Sequence, residues 1–154
     1  MTSIFIQRQK DDLFRDMTSL GSLFAYLLIS FFFLILKNYY LFTRLAVGLV
    51  ATYTITIIVR SFYFKDRPKK LSHRDYIERL DASSFPSLHA IRITFLSILL
   101  MVYFNDFFIS LILGILIFIV VYSRIYLRKH DLKDVSAGIF LGIAIYFIIK
   151  AFFP

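Results

Sequence analysis

The chain has 154 residues, 59% of them hydrophobic and 19% aromatic, with a mean hydropathy of +0.75. That is more apolar surface than one small soluble core can hide, so a membrane protein of one domain is expected. The formal net charge of +8 sits in a few polar stretches between apolar runs, which suits anionic head groups or a phosphate-bearing substrate and leaves no soluble basic domain for nucleic acid. With no cysteine, disulfides, thiolate metal sites and thiol nucleophiles are excluded.

Residues 1–18 mix Arg8, Lys10 and Arg15 with Asp11, Asp12 and Asp16, and set Ile6, Leu13, Phe14 and Met17 at near-helical spacing. An amphipathic segment in the membrane interface fits this pattern, as does a frayed terminus; a secretory signal does not. Residues 19–154 are expected to form one membrane-embedded unit. Leu20–Leu36 carries no charge and is long enough to cross hydrocarbon as a helix. Lys37 and Asn38 turn the chain into a second span, Tyr39–Val59, whose single charge, Arg44, lies near the start where it can snorkel to head groups.

Arg60–Asp81 is the one long extramembrane segment, dense in charge around Pro68, and His73 within it reads as a solvated loop residue. A third span begins around Pro86 and runs to Phe104, Asn105 and Asp106 make a tight turn, and a fourth covers Phe107–Tyr122. After the polar stretch Ser123–Asp134, Val135–Ile149 supplies the fifth. The expected fold is an all-α polytopic bundle of about five spans. Counting crossings puts Arg60–Asp81, the head of span three and Ser123–Asp134 on one side of the membrane, so their polar residues can meet.

Those stretches hold Arg60 and Arg67-Pro68, then Pro86-Ser87-Leu88-His89, then Ser123-Arg124, His130 and Asp134. His130 and Asp134 are four apart, which on a helix puts both on one face and lets the carboxylate bond one imidazole nitrogen, freeing the other. Guanidinium groups bind phosphate oxygens bidentately without losing charge, and Ser87 with the amides at the head of span three adds donors of the kind helix starts aim at anions. No carboxylate cluster or zinc-spaced histidine pair is present, so metal-free nucleophilic phosphoryl chemistry, with no cofactor, is the expectation.

Arg60-x6-Arg67-Pro68, Pro86-Ser87-Leu88-His89 and Ser123-Arg124-x5-His130-x3-Asp134 together resemble the three ordered blocks of the type 2 phosphatidic acid phosphatase family. The similarity covers the last two-thirds of the chain and implies that family's haloperoxidase-like helical core. It implies that His130 attacks phosphorus to form a phosphohistidine, that Asp134 fixes its tautomer, and that His89 protonates the leaving oxygen and later activates water. Arg60, Arg67, Arg124, Ser87 and the amide of Leu88 then hold the phosphate. Two positions depart from the pattern. Arg60 stands where Lys is usual, and Leu88 replaces a Gly, which would be strained if that backbone needed a positive φ. Arg92 lies one turn beyond His89, where family members acting on isoprenoid diphosphates carry Arg, so a second phosphate contact and a structural pairing are both open.

The implied substrate is a lipid phosphate or diphosphate entering from the bilayer of the cell membrane. A polyprenyl diphosphate is the first choice, and phosphatidic acid or phosphatidylglycerophosphate the second. A non-catalytic lipid-phosphate-binding protein is the rival from another class, opposed by the presence of both histidines and Asp134. A transporter is disfavoured by short loops and by charge gathered at one end. Eleven basic residues outside the blocks fall on the site side, Lys70 among them, against Lys37, Arg44 and Lys150 opposite, which by the positive-inside rule faces the site to the cytoplasm. Many bacterial relatives face outward, and a basic funnel for anions would mimic the topology signal. Oligomeric state is not legible.

Overall fold

In hydrocarbon only a helix or a closed barrel satisfies its own backbone, and the long Leu-, Ile- and Phe-rich runs take the first solution. The computed structural model describes residues 2–69 and 74–153, with side chains from Phe5 onward. Among the described residues there are seven α-helices and no strand: α1 Thr2–Ser19, α2 Leu23–Ile35, α3 Tyr39–Phe62, α4 Tyr76–Ala82, α5 Leu88–Phe104, α6 Phe107–Tyr126 and α7 Leu132–Phe152. Lys70 and His73 lie outside them. Phe5–Ile35, Tyr39–Phe62, Phe107–Tyr126 and Leu132–Phe152 are long and apolar enough to cross a membrane, and α5 is a shorter apolar helix. Large side chains such as Phe24, Ile35, Phe118, Phe140 and Phe147 point outward, a surface made for lipid rather than water.

Short side chains set the helix starts. Ser22, Asn38, Asp106 and Asp131 each accept a hydrogen bond from the backbone N–H three residues on, opening α2, α3, α6 and α7. Lys37 (φ 58°), Asn105 (φ 47°) and Arg128 (φ 53°) turn the chain through the left-handed region after α2, α5 and α6. The third of these matters most, because it folds the chain back between Arg124 and His130.

α5 is the central helix, with Ala90 to Ser97 all buried. α7 packs on it through Gly138 and Gly142. A Cβ on Gly138 would sit 2.8 Å from the carbonyl oxygen of Ser87, and one on Gly142 would sit 2.8 Å from that of Ile91. Two small residues four apart thus let the backbones touch, as small-residue stripes do in membranes where tight packing replaces the hydrophobic drive. On α3, Gly48 makes room for the ring of Phe95. The close α5–α7 contact brings the start of α5 onto the start of α7, where Ser87 N donates to the carbonyl of Asp134 at 3.1 Å.

α1 lies against the last turns of α6: Phe14 stacks on Tyr126 with centroids 3.9 Å apart, and the buried hydroxyls of Thr18 and Ser123 are 2.6 Å apart. Arg44, expected to snorkel, is instead buried on α3, donating to the Tyr40 hydroxyl at 2.8 Å and lying over its ring.

Candidate active site

The end of α3, the starts of α5 and α7 and the end of α6 converge at one rim of the bundle, and all three sequence blocks meet there. Ser123 and Arg124 occupy the final turn of α6, which runs four residues past the end of its expected span. Asp134 sits in the first turn of α7.

His130 is 3% exposed and Asp134 fully buried. Their relation differs from the one-face helical pairing that their spacing predicts, because His130 precedes α7 altogether. Asp131 is the N-cap, and it and Asp134 form a capping box: Asp134 N donates to Asp131 Oδ1 at 3.0 Å and Asp131 N to Asp134 Oδ2 at 3.1 Å. The box swings the Asp134 carboxylate back toward the imidazole, with Oδ2 3.6 Å from His130 Nδ1. That gap is just beyond hydrogen-bond length, as is common in substrate-free sites.

On the other side of the ring, Arg124 Nη2 lies 3.3 Å from His130 Nε2. A guanidinium can only donate, so Nε2 must be the accepting nitrogen and the proton resides on Nδ1, facing Asp134. Burial, reinforced by Arg124 and Arg67 and opposed by Asp134, holds the His130 pKa below its usual value. The group is therefore a neutral imidazole at pH 7 with its Nε2 lone pair aimed at a guanidinium, the arrangement a nucleophile toward an anionic phosphate requires.

His89 is half-buried on the first turn of α5, where it lies near the charges of Arg124, Arg92 and Lys129 and the ring of His130. Ser87 caps nothing with its side chain, and its buried Oγ has no hydrogen-bond partner in the protein. Leu88, standing where the resembled pattern has Gly, is the first helical residue of α5 and is not among the positive-φ positions, so the replacement brings no backbone strain. Arg67 is half-buried, which lowers its pKa against the pull of Asp81, and it donates to the carbonyl of Asp81.

Arg60 is held differently from a free phosphate ligand: Nη1 donates to the Leu80 carbonyl at 2.8 Å and Nη2 to that of Pro86 at 3.1 Å, tying the loop to the head of α5. Arg92 donates to the Tyr53 hydroxyl at 2.8 Å and the Gly21 carbonyl at 3.0 Å, so both terminal nitrogens are engaged by α3 and the α1–α2 turn. The buried Nε atoms of Arg60, Arg67 and Arg124 have no partner in the protein, and neither do those of Arg92 and of Arg44 at the opposite rim. Buried donors in that state are costly unless an anion meets them. Among the described residues no three His, Cys, Asp or Glu side chains converge as metal ligands would.

Lys65 belongs to no block. Its Nζ sits 2.6 Å from Asp131 Oδ2 and 2.6 Å from Asp134 Oδ1. Burial pulls its pKa down, but the two carboxylates outweigh burial and leave it raised, so the ammonium stays charged. Two carboxylates three residues apart, one destined for burial, call for a cation; that was the available signal, but sequence alone does not say which of the loop cations answers it.

A multi-span helical bundle with a histidine, a carboxylate and several guanidinium groups at one rim has the chemistry to bind an anionic phosphoryl group at a membrane surface. Residues 41–154 match the PAP2 superfamily, and the chain belongs to that family. Among solved structures it is similar to Aquifex aeolicus LpxE, with a TM-score of 0.77 and 23% identity over 93% of this chain and 86% of that one. It is also similar to a transmembrane PAP2-type phosphatidylglycerolphosphate phosphatase from Bacillus subtilis, with a TM-score of 0.68 and 22% identity over 94% and 76%. No protein of curated function matches the sequence significantly.

Proposed function

We propose that the protein hydrolyses a lipid phosphate or diphosphate of the cell membrane through a phosphohistidine on His130, with a polyprenyl diphosphate as the preferred substrate. The observation that carries this reading is the His130 ring, held between Arg124 at Nε2 and Asp134 at Nδ1. When substrate enters, a phosphoryl oxygen replaces Nε2 as the partner of Arg124, and the lone pair so released attacks phosphorus in line. The N–P bond forms as the bond from phosphorus to the leaving oxygen breaks; His89 gives that oxygen its proton. In the second half, water attacks phosphorus, His89 takes a proton from it, and the P–N bond breaks to leave inorganic phosphate and neutral His130. Asp134 stabilises the imidazolium character that develops, and Lys65 holds Asp134 ionised. Arg67, Arg124, the Ser87 hydroxyl and the Leu88 amide carry the charge spread over the equatorial oxygens, with Arg60 shaping the loop and offering its unpaired Nε. Guanidinium groups thereby supply the neutralisation a metal gives in other phosphatases.

Apolar side chains facing outward along the spans support delivery of substrate from the bilayer, with α1 resting in the interface over the site end. Phosphatidic acid and phosphatidylglycerophosphate are the second substrate class, and the phosphatidylglycerolphosphate phosphatase among the similar structures supports the latter. Phosphate release from detergent-solubilised protein, measured on these lipids and on a polyprenyl diphosphate, tests the reading. His130→Ala is expected to abolish release with an unchanged melting temperature, and turnover retained in that variant would remove the central claim.

A further inference from the structure

The sequence offers Arg92 for a second phosphate; its terminal nitrogens are engaged by Tyr53 and Gly21, and its Nε, like that of Arg60, is without a partner in the protein. Further positive charge lies on the other flank of His130. A hollow of about 220 Å³ there is lined by Arg15, Arg67, Lys69, Leu127 and Lys129: four cations and one leucine, with no carboxylate. It shares Arg15, Lys69 and Leu127 with an outer hollow of about 520 Å³, whose only acidic lining residue is Asp11.

Three observations describe the walls of the hollow, whose Arg15, Lys69 and Lys129 are exposed and whose Arg67 is half-buried. The wall that brings Arg15 is fixed, since α1 is held to α6 by the Phe14–Tyr126 stack and the Thr18–Ser123 hydroxyl pair. The wall that brings Lys69 is fixed by its backbone N–H, which donates to the Arg128 carbonyl at 3.0 Å. Lys129 makes no ion pair with a described residue; burial lowers its pKa, and Arg124, Arg67, Arg15 and Lys69 all push it further down. Arg15 pairs with Asp12 at 3.3 Å, but Arg67, Lys69 and Lys129 gather where no carboxylate lines the hollow; cations so placed repel one another, and an anion between them offsets that cost. The hollow also adjoins the reacting centre, because Lys129 precedes His130 and Arg67 belongs to both.

We propose that this hollow binds a second anionic group on the substrate's own head group, beside the phosphoryl group that is transferred. The site therefore prefers lipids whose head group carries two phosphates, linked directly or through a short polar spacer. The proposal rests on the phosphatase reading for its substrate but not for its binding chemistry, and the two are tested separately.

Two measurements on the full chain in detergent decide it. In the first, calorimetry compares inorganic diphosphate with orthophosphate as probes. Wild type is expected to bind diphosphate more tightly by about tenfold, the worth of one or two charge-assisted contacts, and Lys69→Gln/Lys129→Gln is expected to lose that margin while keeping its orthophosphate affinity. In the second, kcat/KM is compared on a polyprenyl diphosphate and the matching monophosphate. The double variant is expected to fall about tenfold on the diphosphate and less than about twofold on the monophosphate. Equal loss on both lipids, or an unchanged diphosphate margin, overturns the proposal. So does a loss seen only when phosphatidylglycerol is added to the micelles, which would assign the cations to a bilayer lipid. If wild type turns over neither lipid but the variant still loses the diphosphate margin, the subsite stands and the phosphatase reading falls.

Discussion

At the end of the bundle away from the site, the two turns cap their own helices and meet through one hydrogen bond, from Asn38 Nδ2 to the Tyr103 hydroxyl at 2.8 Å. Asn38 caps α3 and Asp106 caps α6 with their own side chains, and the one buried cation, Arg44, is satisfied in part by Tyr40 from its own helix. At the site end the contacts run between segments far apart in sequence. Lys65 reaches the α7 cap, Arg60 holds the carbonyl before Ser87, and Arg124 meets His130 across a left-handed turn. Arg44 and Arg124 are almost equally buried, at 7% and 4% exposure. Burial of a guanidinium is thus no mark of function by itself. What separates the two is the partner: a neighbouring ring in one case, the nucleophile candidate's lone pair in the other.

That contrast can be broken most directly by removing each guanidinium in turn. Arg124→Ala should lower kcat for phosphate release by about 10²- to 10³-fold, the usual effect of deleting one donor to a developing negative charge. Arg44→Met should leave kcat and KM within about twofold, since a site on the opposite rim couples weakly to it. A comparable catalytic loss in both variants would mean that the buried arginines act through fold stability, and the distinction between the two rims would be lost.

A smaller effect sharpens the same point. Burial, with Arg124 and Arg67, depresses the His130 pKa below 6.5, so the stability that its neutral form contributes is fully present above pH 6.5 and is lost as pH falls through the depressed value. Its acid limb in kcat/KM should accordingly begin below pH 6.5. In the residual activity of Arg124→Ala that limb should move to higher pH, because one of the charges opposing protonation is gone. A limb that does not move would show that Arg124 does not act on His130.

Much of this was legible in the sequence. Hydropathy located five apolar helices, four of them in segments long enough to span and the first of those reaching back to Phe5, yet it marks where hydrocarbon ends and not where helices end. α6 therefore continues through Ser123 and Arg124 to Tyr126, and α7 starts at Leu132, ahead of its apolar run. The His130–Asp134 partnership was readable from spacing, but its geometry was not, because a capping box rather than a helical face aims the carboxylate. Strain at Leu88 does not arise, because α5 begins there without a positive φ. Lys65 stayed hidden because a loop fixes no register: among many cations between Arg60 and Asp81, only the folded path selects the one that reaches Asp131 and Asp134.

The central claim is that His130 carries the phosphoryl group, and rapid acid-free quenching of the enzyme with a lipid substrate labelled in the transferred phosphorus tests it most directly. Because His89 serves both half-reactions, His89→Ala should slow formation and hydrolysis of the intermediate alike, so the label is sought in wild type as well as in that variant. The account predicts an acid-labile, base-stable label on His130, absent from His130→Ala. Label on any other residue, or steady turnover by wild type with no label on His130 in either protein, would contradict it.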